Sequence, residues 1–259
     1  MRAAIWRRLF RTRRLPKSTL VRHMSTDRIL DVSELWAGYG ATPILQGVSM
    51  SISRGEIVGV IGRNGVGKST LMRCLIGLLE TWRGTITFMD QDVTQLQADA
   101  RARAGFGYIP QGRDVFPQMS VEENLQVGEL IGGPKGKKLP ELVYEYFPRL
   151  RERRRQIAGT MSGGEQQQLA IGRALIGNPT LMILDEPSEG VQPSIVQHIC
   201  EALKSFRSEL GTTIVFVEQN LDTIMAIAQR CYIMEKGKIT RSLTGDDVTA
   251  DNVREQLLL

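Results

Sequence analysis

Apolar residues alternate with polar ones along several short stretches in the first half of the chain. Residues 29–35 and 44–52 follow this pattern, which is typical of strands with one buried face. Residues 36–40 between them contain two glycines and are predicted to form a turn. Residues 84–88 and 106–111 are predicted to be further strands, the second of which stops at its proline.

Three other stretches are mainly apolar without alternation, at residues 56–61, 180–184 and 212–217. A continuous apolar run of this length predicts a strand that is buried on both faces, as in a parallel sheet. Residues 231–234 and 238–240 are predicted to form a closing hairpin around a Lys-Gly pair.

Helical patterns occur between these strands, at residues 71–76, 95–104 and 167–175. The region from residue 112 to about 160 lacks strand-like runs and is predicted to be a helical insertion within an α/β domain. A loop at residues 132–138 is expected to separate two helical stretches of this insertion. The pattern of the chain therefore predicts the α/β class.

The composition is that of an ordinary globular protein. A chain of 259 residues with 42% hydrophobic residues can bury a substantial core. Its three cysteines are far apart and match no metal-binding or redox spacing, so no disulfide framework is expected. No apolar run approaches the roughly 18 to 20 residues of a membrane-spanning helix. We therefore expect a protein that is soluble or attached to a membrane through partners.

The net charge of +5 is concentrated in the first 26 residues, which contain eight Lys or Arg and no acid. Such a segment could bind nucleic acid or anionic lipids, or act as a transit peptide. The interpretation that we favour is a disordered basic extension over residues 1–27, with Met24 as the working initiator.

The most specific motif is GRNGVGKST at residues 62–70, which we call the phosphate loop. Its glycines allow backbone N–H groups to turn inward around an anion at the start of a helix. Lys68 can reach the β and γ phosphates of a nucleotide, and the Ser69 hydroxyl can ligate Mg²⁺. The alternative is a glycine-rich turn without a ligand, but the strand and the helix that the motif requires are both predicted beside it. The nucleotide-binding residues predicted here are Gly62, Arg63, Asn64, Gly65, Val66, Gly67, Lys68, Ser69 and Thr70.

Polar side chains near the ends of other predicted strands extend this candidate site. Asp185 and Glu186 follow the buried run at 180–184, and ligands lie at the carboxyl ends of such strands. Asp185 would hold Mg²⁺ and Glu186 would orient and polarise the attacking water, unless the two acids simply belong to a hydrated loop. Gln111 could coordinate Mg²⁺ through its amide oxygen or be an ordinary surface residue. Tyr39 could stack on a purine base or pack within the domain.

A second glycine-containing motif, MSGGEQ, begins the predicted helix after residue 160. Ser162 and Glu165 have the spacing of a capping box, which would explain the motif by helix stability alone. Gly163 and Gly164 leave the N–H groups of the helix start open to an anion, so this segment is also a candidate phosphate contact. Two phosphate-facing segments on one chain suggest that two chains share a nucleotide.

The order GRNGVGKST, YIPQ, MSGGEQ and LMILDEP resembles that of the ATP-binding-cassette ATPases from about residue 29 onwards. This resemblance implies a phosphate-loop (RecA-like) ATPase core with an N-terminal antiparallel β subdomain and an inserted α-helical subdomain at about 112–160, within an ATPase domain at 28–259. It implies ATP and Mg²⁺ as ligands. It also implies a head-to-tail dimer, in which the phosphate loop of one subunit and the SGG segment of the other enclose ATP, and a helical insertion that docks on a membrane permease.

Residues 110–117, 164–173 and 217–220 are similar to the smaller ATPase subunits of bacterial branched-chain amino acid importers. Residues 188–193 are more similar to the branch of that group that carries urea and short amides. The resemblance implies a second ATPase subunit as a heterodimer partner, two permeases and, indirectly, a solute-binding protein outside the membrane. It places the chain at the cytoplasmic face of the membrane.

Three positions depart from the usual cassette pattern. Glu165 stands where glutamine is usual, residues 188–193 lack the common aspartate, and Gln219 replaces the switch histidine. Neither His23 nor His198 lies near enough in sequence to substitute. With Lys68 and Glu186, Gln219 is predicted to act in catalysis. Its amide can hydrogen-bond a γ-phosphate but cannot exchange a proton near neutral pH as imidazole does.

A different class of function is a soluble cassette protein that clamps nucleic acid or ribosomes, with the basic segment as its anchor. Such proteins usually carry tandem cassettes or long coiled-coil insertions, and this sequence has neither. We therefore expect a transport ATPase and no nucleic acid partner.

Overall fold

The computed structural model describes residues 27–136 and 139–258, so the predicted basic extension lies outside the described residues except for Asp27. The strands are β1 (Arg28–Tyr39), β2 (Thr42–Ser53), β3 (Ile57–Ile61), β4 (Arg83–Phe88), β5 (Gln91–Asp92), β6 (Phe106–Ile109), β7 (Leu181–Asp185), β8 (Thr213–Glu218), β9 (Arg230–Glu235) and β10 (Lys238–Thr244). The helices are α1 (Lys68–Leu75), α2 (Ala98–Ala104), α3 (Val121–Gly136), α4 (Pro140–Tyr146), α5 (Pro148–Glu152), α6 (Gly163–Ile176), α7 (Pro193–Leu210), α8 (Leu221–Ile227) and α9 (Ala250–Leu258), with 3₁₀ turns at Ala158–Thr160 and Gly245–Asp247. None of the helices in these ranges is long and apolar enough to span a bilayer.

The strands form two sheets of different kinds. An antiparallel sheet has the order β2-β1-β4-β5, and a larger sheet has the order β10-β9-β3-β8-β7-β6. Strands β6, β7, β8, β3 and β9 run parallel, and β10 pairs antiparallel with β9 as the predicted hairpin. Helices α3 to α5 lie in the predicted insertion between β6 and α6. The predicted α/β class is confirmed.

The central strands of the larger sheet are buried on both faces, which explains their continuous apolar runs. Side chains alternate along each strand, so neighbours enter two different clusters. Ile57 and Ile214 pack in a cluster with residues of α4 to α8. Val58 and Val215 pack in the other cluster with residues of α1 and the antiparallel sheet. The parallel sheet is therefore the middle layer of the molecule.

The predicted turn at residues 36–40 is wrong, because β1 continues to Tyr39 and the turn begins at Gly40. A bulge explains the error: Glu34 has a positive φ of 48°, and the pairing with β2 shifts between Val32 and Leu35. The bulge interrupts the alternation of apolar and polar side chains, so the second half of the strand does not continue the pattern of the first.

The predicted loop at residues 132–138 is also wrong in its first part, because α3 continues to Gly136; positions 137–138 lie outside the described residues. Its glycines provide close packing instead of a turn. A Cβ at Gly128 would lie 2.4 Å from the carbonyl oxygen of Arg173, and one at Gly132 would lie 2.2 Å from that of Ile176. These glycines are four residues apart on one face of α3, which lets α3 approach α6 closely.

The C-terminus of α1 is held by a buried arginine that the sequence did not single out. Arg101 is 1% exposed, and its guanidinium donates hydrogen bonds to the carbonyl oxygens of Cys74 and Leu75 at 2.7 and 2.8 Å. Further bonds reach the carbonyls of Thr94 and Leu96 at 2.8 and 2.9 Å. Burial lowers the pKa of Arg101. A cation at this end of a helix also complements its dipole, so Arg101 fixes the helix that begins in the phosphate loop.

We expect Gly128→Ala to lower the free energy of unfolding by about 1–3 kcal/mol, because the added methyl group overlaps a backbone carbonyl that cannot rotate away. This loss exceeds the gain of about 1 kcal/mol from better helix propensity. Urea unfolding followed by circular dichroism measures the change. Leu130→Ala on the same helix is the control, since Leu130 is 83% exposed, and it should stay within about 0.5 kcal/mol. A stabilised Gly128→Ala variant would contradict the packing argument.

Candidate active site

Four loops meet at the carboxyl edge of the parallel sheet. They follow β3, β6, β7 and β8, and parallel strands bring such loops to the same edge. The structure brings together at this edge the predicted site residues Lys68, Ser69, Gln111, Asp185, Glu186 and Gln219. A cavity of about 580 Å³ opens there, lined by residues that include Asn64, Gln111, Glu186, Gly190 and Gln219.

The phosphate loop joins β3 to α1 through glycines in the left-handed region. Gly65 has φ of 78° and Gly67, the N-cap of α1, has φ of 109°, where L side chains are strained. The Lys68 ammonium donates hydrogen bonds to the carbonyl oxygens of Gly62 and Arg63 at 2.8 and 2.9 Å. These bonds fix the Lys68 side chain against the backbone at the start of the phosphate loop.

Lys68 is buried beside three acids. The side chain is 4% exposed, and burial lowers its pKa, while the charges of Glu186, Asp185 and Glu218 act in the opposite direction. The ammonium is therefore costly to desolvate and is compensated by the carboxylates at the ends of β7 and β8. Such a cation can bind phosphate as a compact point charge.

Ser69 and Asp185 form a pair of hard oxygen donors. The Ser69 hydroxyl donates a hydrogen bond to Asp185 Oδ1 at 3.1 Å. Burial raises the pKa of Asp185, and the bond from Ser69 opposes that shift. No cluster of three or more His, Cys, Asp or Glu suited to a metal occurs among the described residues. The pair fits Mg²⁺, which prefers oxygen ligands and commonly takes only one or two from protein carboxylates and the rest from phosphates and water.

Glu186 is held by two glutamine side chains. Gln219 Nε2 donates to Glu186 Oε1 at 2.7 Å, and Gln111 Nε2 lies 3.5 Å from Glu186 Oε2. Gln111 Nε2 also donates to Glu189 Oε2 at 2.9 Å. The backbone of Glu186 has a positive φ of 50°, which is rare for a residue with a side chain of this size. A carboxylate held in this way has a fixed direction relative to the phosphate loop.

Glu218 belongs to the same edge, although sequence reasoning gave it no role. It is 3% exposed and accepts three backbone hydrogen bonds, from Ser188 at 2.9 Å, Gln219 at 2.8 Å and Asn220 at 3.0 Å. These bonds join the loop after β7 to the loop after β8. The available signal was an acid that directly follows a buried strand, as Asp185 and Glu186 do.

Tyr39 lies at the end of β1, apart from the acids. Its side chain is 46% exposed, and its hydroxyl accepts a hydrogen bond of 3.1 Å from Arg73 Nη1 on α1. The ring is thus not buried in either core cluster, and its polar end is fixed to the helix of the phosphate loop. An exposed ring in this position can stack on a planar ligand.

The SGG segment lies at the start of α6, and none of its residues belongs to the described lining of the cavity. The predicted capping box is confirmed. Ser162 Oγ accepts from the Glu165 N–H at 3.4 Å, and Glu165 Oε2 accepts from the Ser162 N–H at 3.0 Å. Ser162, Gly163 and Gly164 are therefore not brought to the phosphate loop of their own chain.

The carboxylate of Glu165 is turned back along its own helix. Arg153 Nε lies 3.2 Å from Glu165 Oε1. Burial would raise the pKa of Glu165, but hydrogen bonds from Ser162 and the charges of Arg153 and Arg149 outweigh it and hold the pKa below its usual value. The negative charge that distinguishes this segment is therefore balanced by arginines within the chain.

We expect Glu165→Gln to lower the free energy of unfolding at pH 7 by about 0.5–1 kcal/mol, since the amide keeps one acceptor but loses the charge. Because the folded-state pKa is lowered, the carboxylate stabilises the protein above its unfolded pKa of about 4.3. The difference from wild type should shrink as the pH falls below that value. Urea unfolding at a series of pH values measures it, and a difference independent of pH would rule out the charge as its cause.

The chain matches a known family and several relatives. Residues 45–189 match the family described as ABC transporter. The high-affinity branched-chain amino acid transport ATP-binding protein BraG of Pseudomonas aeruginosa is 43% identical over 208 residues, which cover 80% of this chain and 89% of BraG. The lipopolysaccharide export system ATP-binding protein LptB of Escherichia coli is 31% identical over 86% of this chain and 93% of LptB.

The fold is also that of a solved protein, the ATP-binding subunit of an ABC transporter, with a TM-score of 0.79 and 27% identity. The superposition covers 89% of this chain and all of the solved chain.

Proposed function

The chain belongs to the ABC transporter family of ATPases, and from that premise we propose that it energises an importer for branched-chain amino acids or for urea and short amides. The identity to BraG, 43%, is well above the identity of 31% to LptB, which belongs to a lipopolysaccharide export system. Relatives with about 31% sequence identity thus share the ATP-binding function but can differ in the substance that is transported. The higher identity supports the amino acid importer class.

The observation that carries the ATPase activity in this proposal is the hydrogen bond of 3.1 Å between Ser69 and Asp185, beside Lys68. The loop N–H groups and Lys68 bind the phosphates of ATP, and Tyr39 stacks on the adenine. Ser69, Asp185 and the amide oxygen of Gln111 would hold Mg²⁺, which would supply neutralisation of charge on the phosphate oxygens.

Glu186 performs the chemical step by orienting a water molecule and accepting its proton. Gln219 holds Oε1 of this carboxylate at 2.7 Å, whereas Gln111 Nε2 lies 3.5 Å from Oε2, so we assign the more weakly held Oε2 to the water. The amide of Gln219 neither gains nor loses a proton near neutral pH, and its role is to position Glu186 and to donate a hydrogen bond to the γ-phosphate.

The SGG segment serves the nucleotide of a second subunit. Ser162 begins α6 outside the described lining of the cavity of its own chain, and the N–H groups that follow it would be available to the phosphate of another chain. We propose a heterodimer, because Gln219 leaves this half-site without the histidine that a second ATPase subunit would carry. Ser162, Gly163, Gly164 and Glu165 then face the ATP bound by that subunit.

An apolar groove gives this ATPase a place to hold a permease. It has a volume of about 340 Å³ and lies where α1, α2, α3 and α6 meet, lined by residues that include Leu78, Phe116 and Ile131. These three side chains are 61%, 43% and 50% exposed. We propose that a cytoplasmic segment of the permease fills this groove, which would place the chain at the cytoplasmic face of the membrane, with a solute-binding protein on the other side.

We expect Glu186→Gln to lower kcat for ATP hydrolysis about 100-fold or more while ATP stays bound, since the amide cannot take the proton of water. Lys68→Ala should instead weaken ATP binding about tenfold to 100-fold, because it removes a charge-assisted contact to phosphate. Steady-state ATPase assays and equilibrium binding of labelled ATP separate the two effects. Unchanged turnover in either variant would refute the assigned roles.

We expect Leu78→Glu to prevent copurification with permeases from native membranes, because it places a charge in the apolar groove. ATP binding should be unaffected. Leu130→Glu is the control, because Leu130 is 83% exposed and lies outside the described lining of the groove. Affinity purification followed by mass spectrometry measures the result. Recovery of the wild-type chain without permeases or a second ATPase would argue against the importer.

A further inference from the structure

Arg113 connects three segments that are distant in the sequence. It lies in the loop after β6, two residues beyond Gln111, and its backbone has φ of 77°. Its side chain is half-buried and points away from its own strand towards the loop after β7 and the start of α6. The mechanism above does not use this residue.

The first set of contacts fixes the loop that follows Glu186. Arg113 Nη2 donates hydrogen bonds to the carbonyl oxygens of Glu189 at 3.1 Å and Gly190 at 3.2 Å. The side chain of Glu189 accepts from Gln111 at the same time. Gln111 therefore holds the loop after β7 by the side chain of Glu189, and Arg113 holds the same loop by its backbone carbonyls.

The second contact is with Gly163, the first residue of α6. A Cβ at Gly163 would lie 2.8 Å from Arg113 Nη1 and 3.0 Å from Arg113 Cζ and Nη2, so the guanidinium occupies the space beside this glycine. Gly163 lacks a side chain where Arg113 needs room. The helix dipole does not draw a cation to this end of α6, so the carbonyls of Glu189 and Gly190 account for its position.

We propose that Arg113 is a positioning residue that couples the loop after Glu186 to the start of α6. This inference rests on the proposed function, in which Glu186 acts on the nucleotide of its own chain and the start of α6 contacts the nucleotide of the partner. A planar guanidinium can hold two carbonyls with one nitrogen and pack its face on a glycine, which an ammonium cannot do. A shift of α6 towards the partner's nucleotide is thereby passed to the catalytic loop.

The coupling is direct because the connection is short. Glu189 and Gly190 lie three and four residues beyond Glu186, and the Ser188 N–H is bound to Glu218. A displacement of the loop at Gly190 therefore also displaces Glu186, because few residues between them can absorb it. In each chain, Arg113 thus connects the loop that serves the chain's own nucleotide with the helix start that serves the partner's nucleotide.

The test compares Arg113→Gln, Arg113→Lys and the control Arg254→Gln in the full-length chain assembled with its partner subunits. Arg254 on α9 is a suitable control, because its side chain is 58% exposed and its ion pair with Asp251 spans 3.7 Å. ATPase rates are measured against ATP concentration, with amide exchange of the peptide that covers residues 186–191. We expect Arg113→Gln to lower kcat about tenfold to 100-fold, with KM for ATP within about twofold and a Hill coefficient closer to 1.

Arg113→Lys should recover only part of kcat, since it keeps the charge but not the planar contact. Amides of 186–191 should exchange faster in Arg113→Gln, while those of β7 keep their protection. Equal loss of kcat and of ATP affinity, or full activity in Arg113→Gln when wild type and Arg254→Gln are active, would overturn the coupling. A wild-type assembly that hydrolyses no ATP would instead refute the proposed function on which the coupling rests.

Discussion

The site depends on holding three carboxylates close together at the ends of two neighbouring buried strands. Asp185 accepts from Ser69, Glu186 from Gln219, and Glu218 from three backbone N–H groups. The Lys68 ammonium interacts with all three and offsets part of their combined charge. Because buried charges are costly unless they are paired and hydrogen-bonded, these partners determine how the loops around the sheet must be placed. The two loops that carry Glu186 and Gln219 are thus joined by contacts within the chain itself.

The fold supplies this arrangement by covering both faces of the parallel sheet. Residues of the antiparallel sheet and α1 pack on one face and residues of α3 to α9 on the other, so the central strands β3, β7 and β8 are buried along their length and the loops that follow them are left to meet a ligand. Two local devices keep the surrounding helices in place. Arg101 satisfies the last carbonyls of α1, and the glycines at 128 and 132 allow α3 to lie directly against α6. The functional groups are therefore carried by elements whose ends and contacts are fixed.

Much of the core could be predicted from the sequence, because burial on both faces leaves a continuous apolar run that no surface element imitates. The same parallel strands place Asp185, Glu186 and the phosphate loop at one edge. Two predictions were wrong because glycine occurs both in turns and at sites of close packing. Gly38 lies inside β1 and Gly132 lies inside α3, and each allows close packing instead of a turn. The contacts of Arg113 with Gly190 and of Glu218 with Ser188 were not predictable, because these partners are 77 and 30 residues away along the chain.

Glu186 carries a further consequence through its backbone. A left-handed conformation costs a residue with a side chain about 1–2 kcal/mol, a penalty that glycine escapes and asparagine partly escapes. Exchange of the acid for either residue would therefore relieve this strain while it removed the carboxylate. Glu186 is held against the preference of its own backbone, so the chemistry of the site carries a local cost in stability.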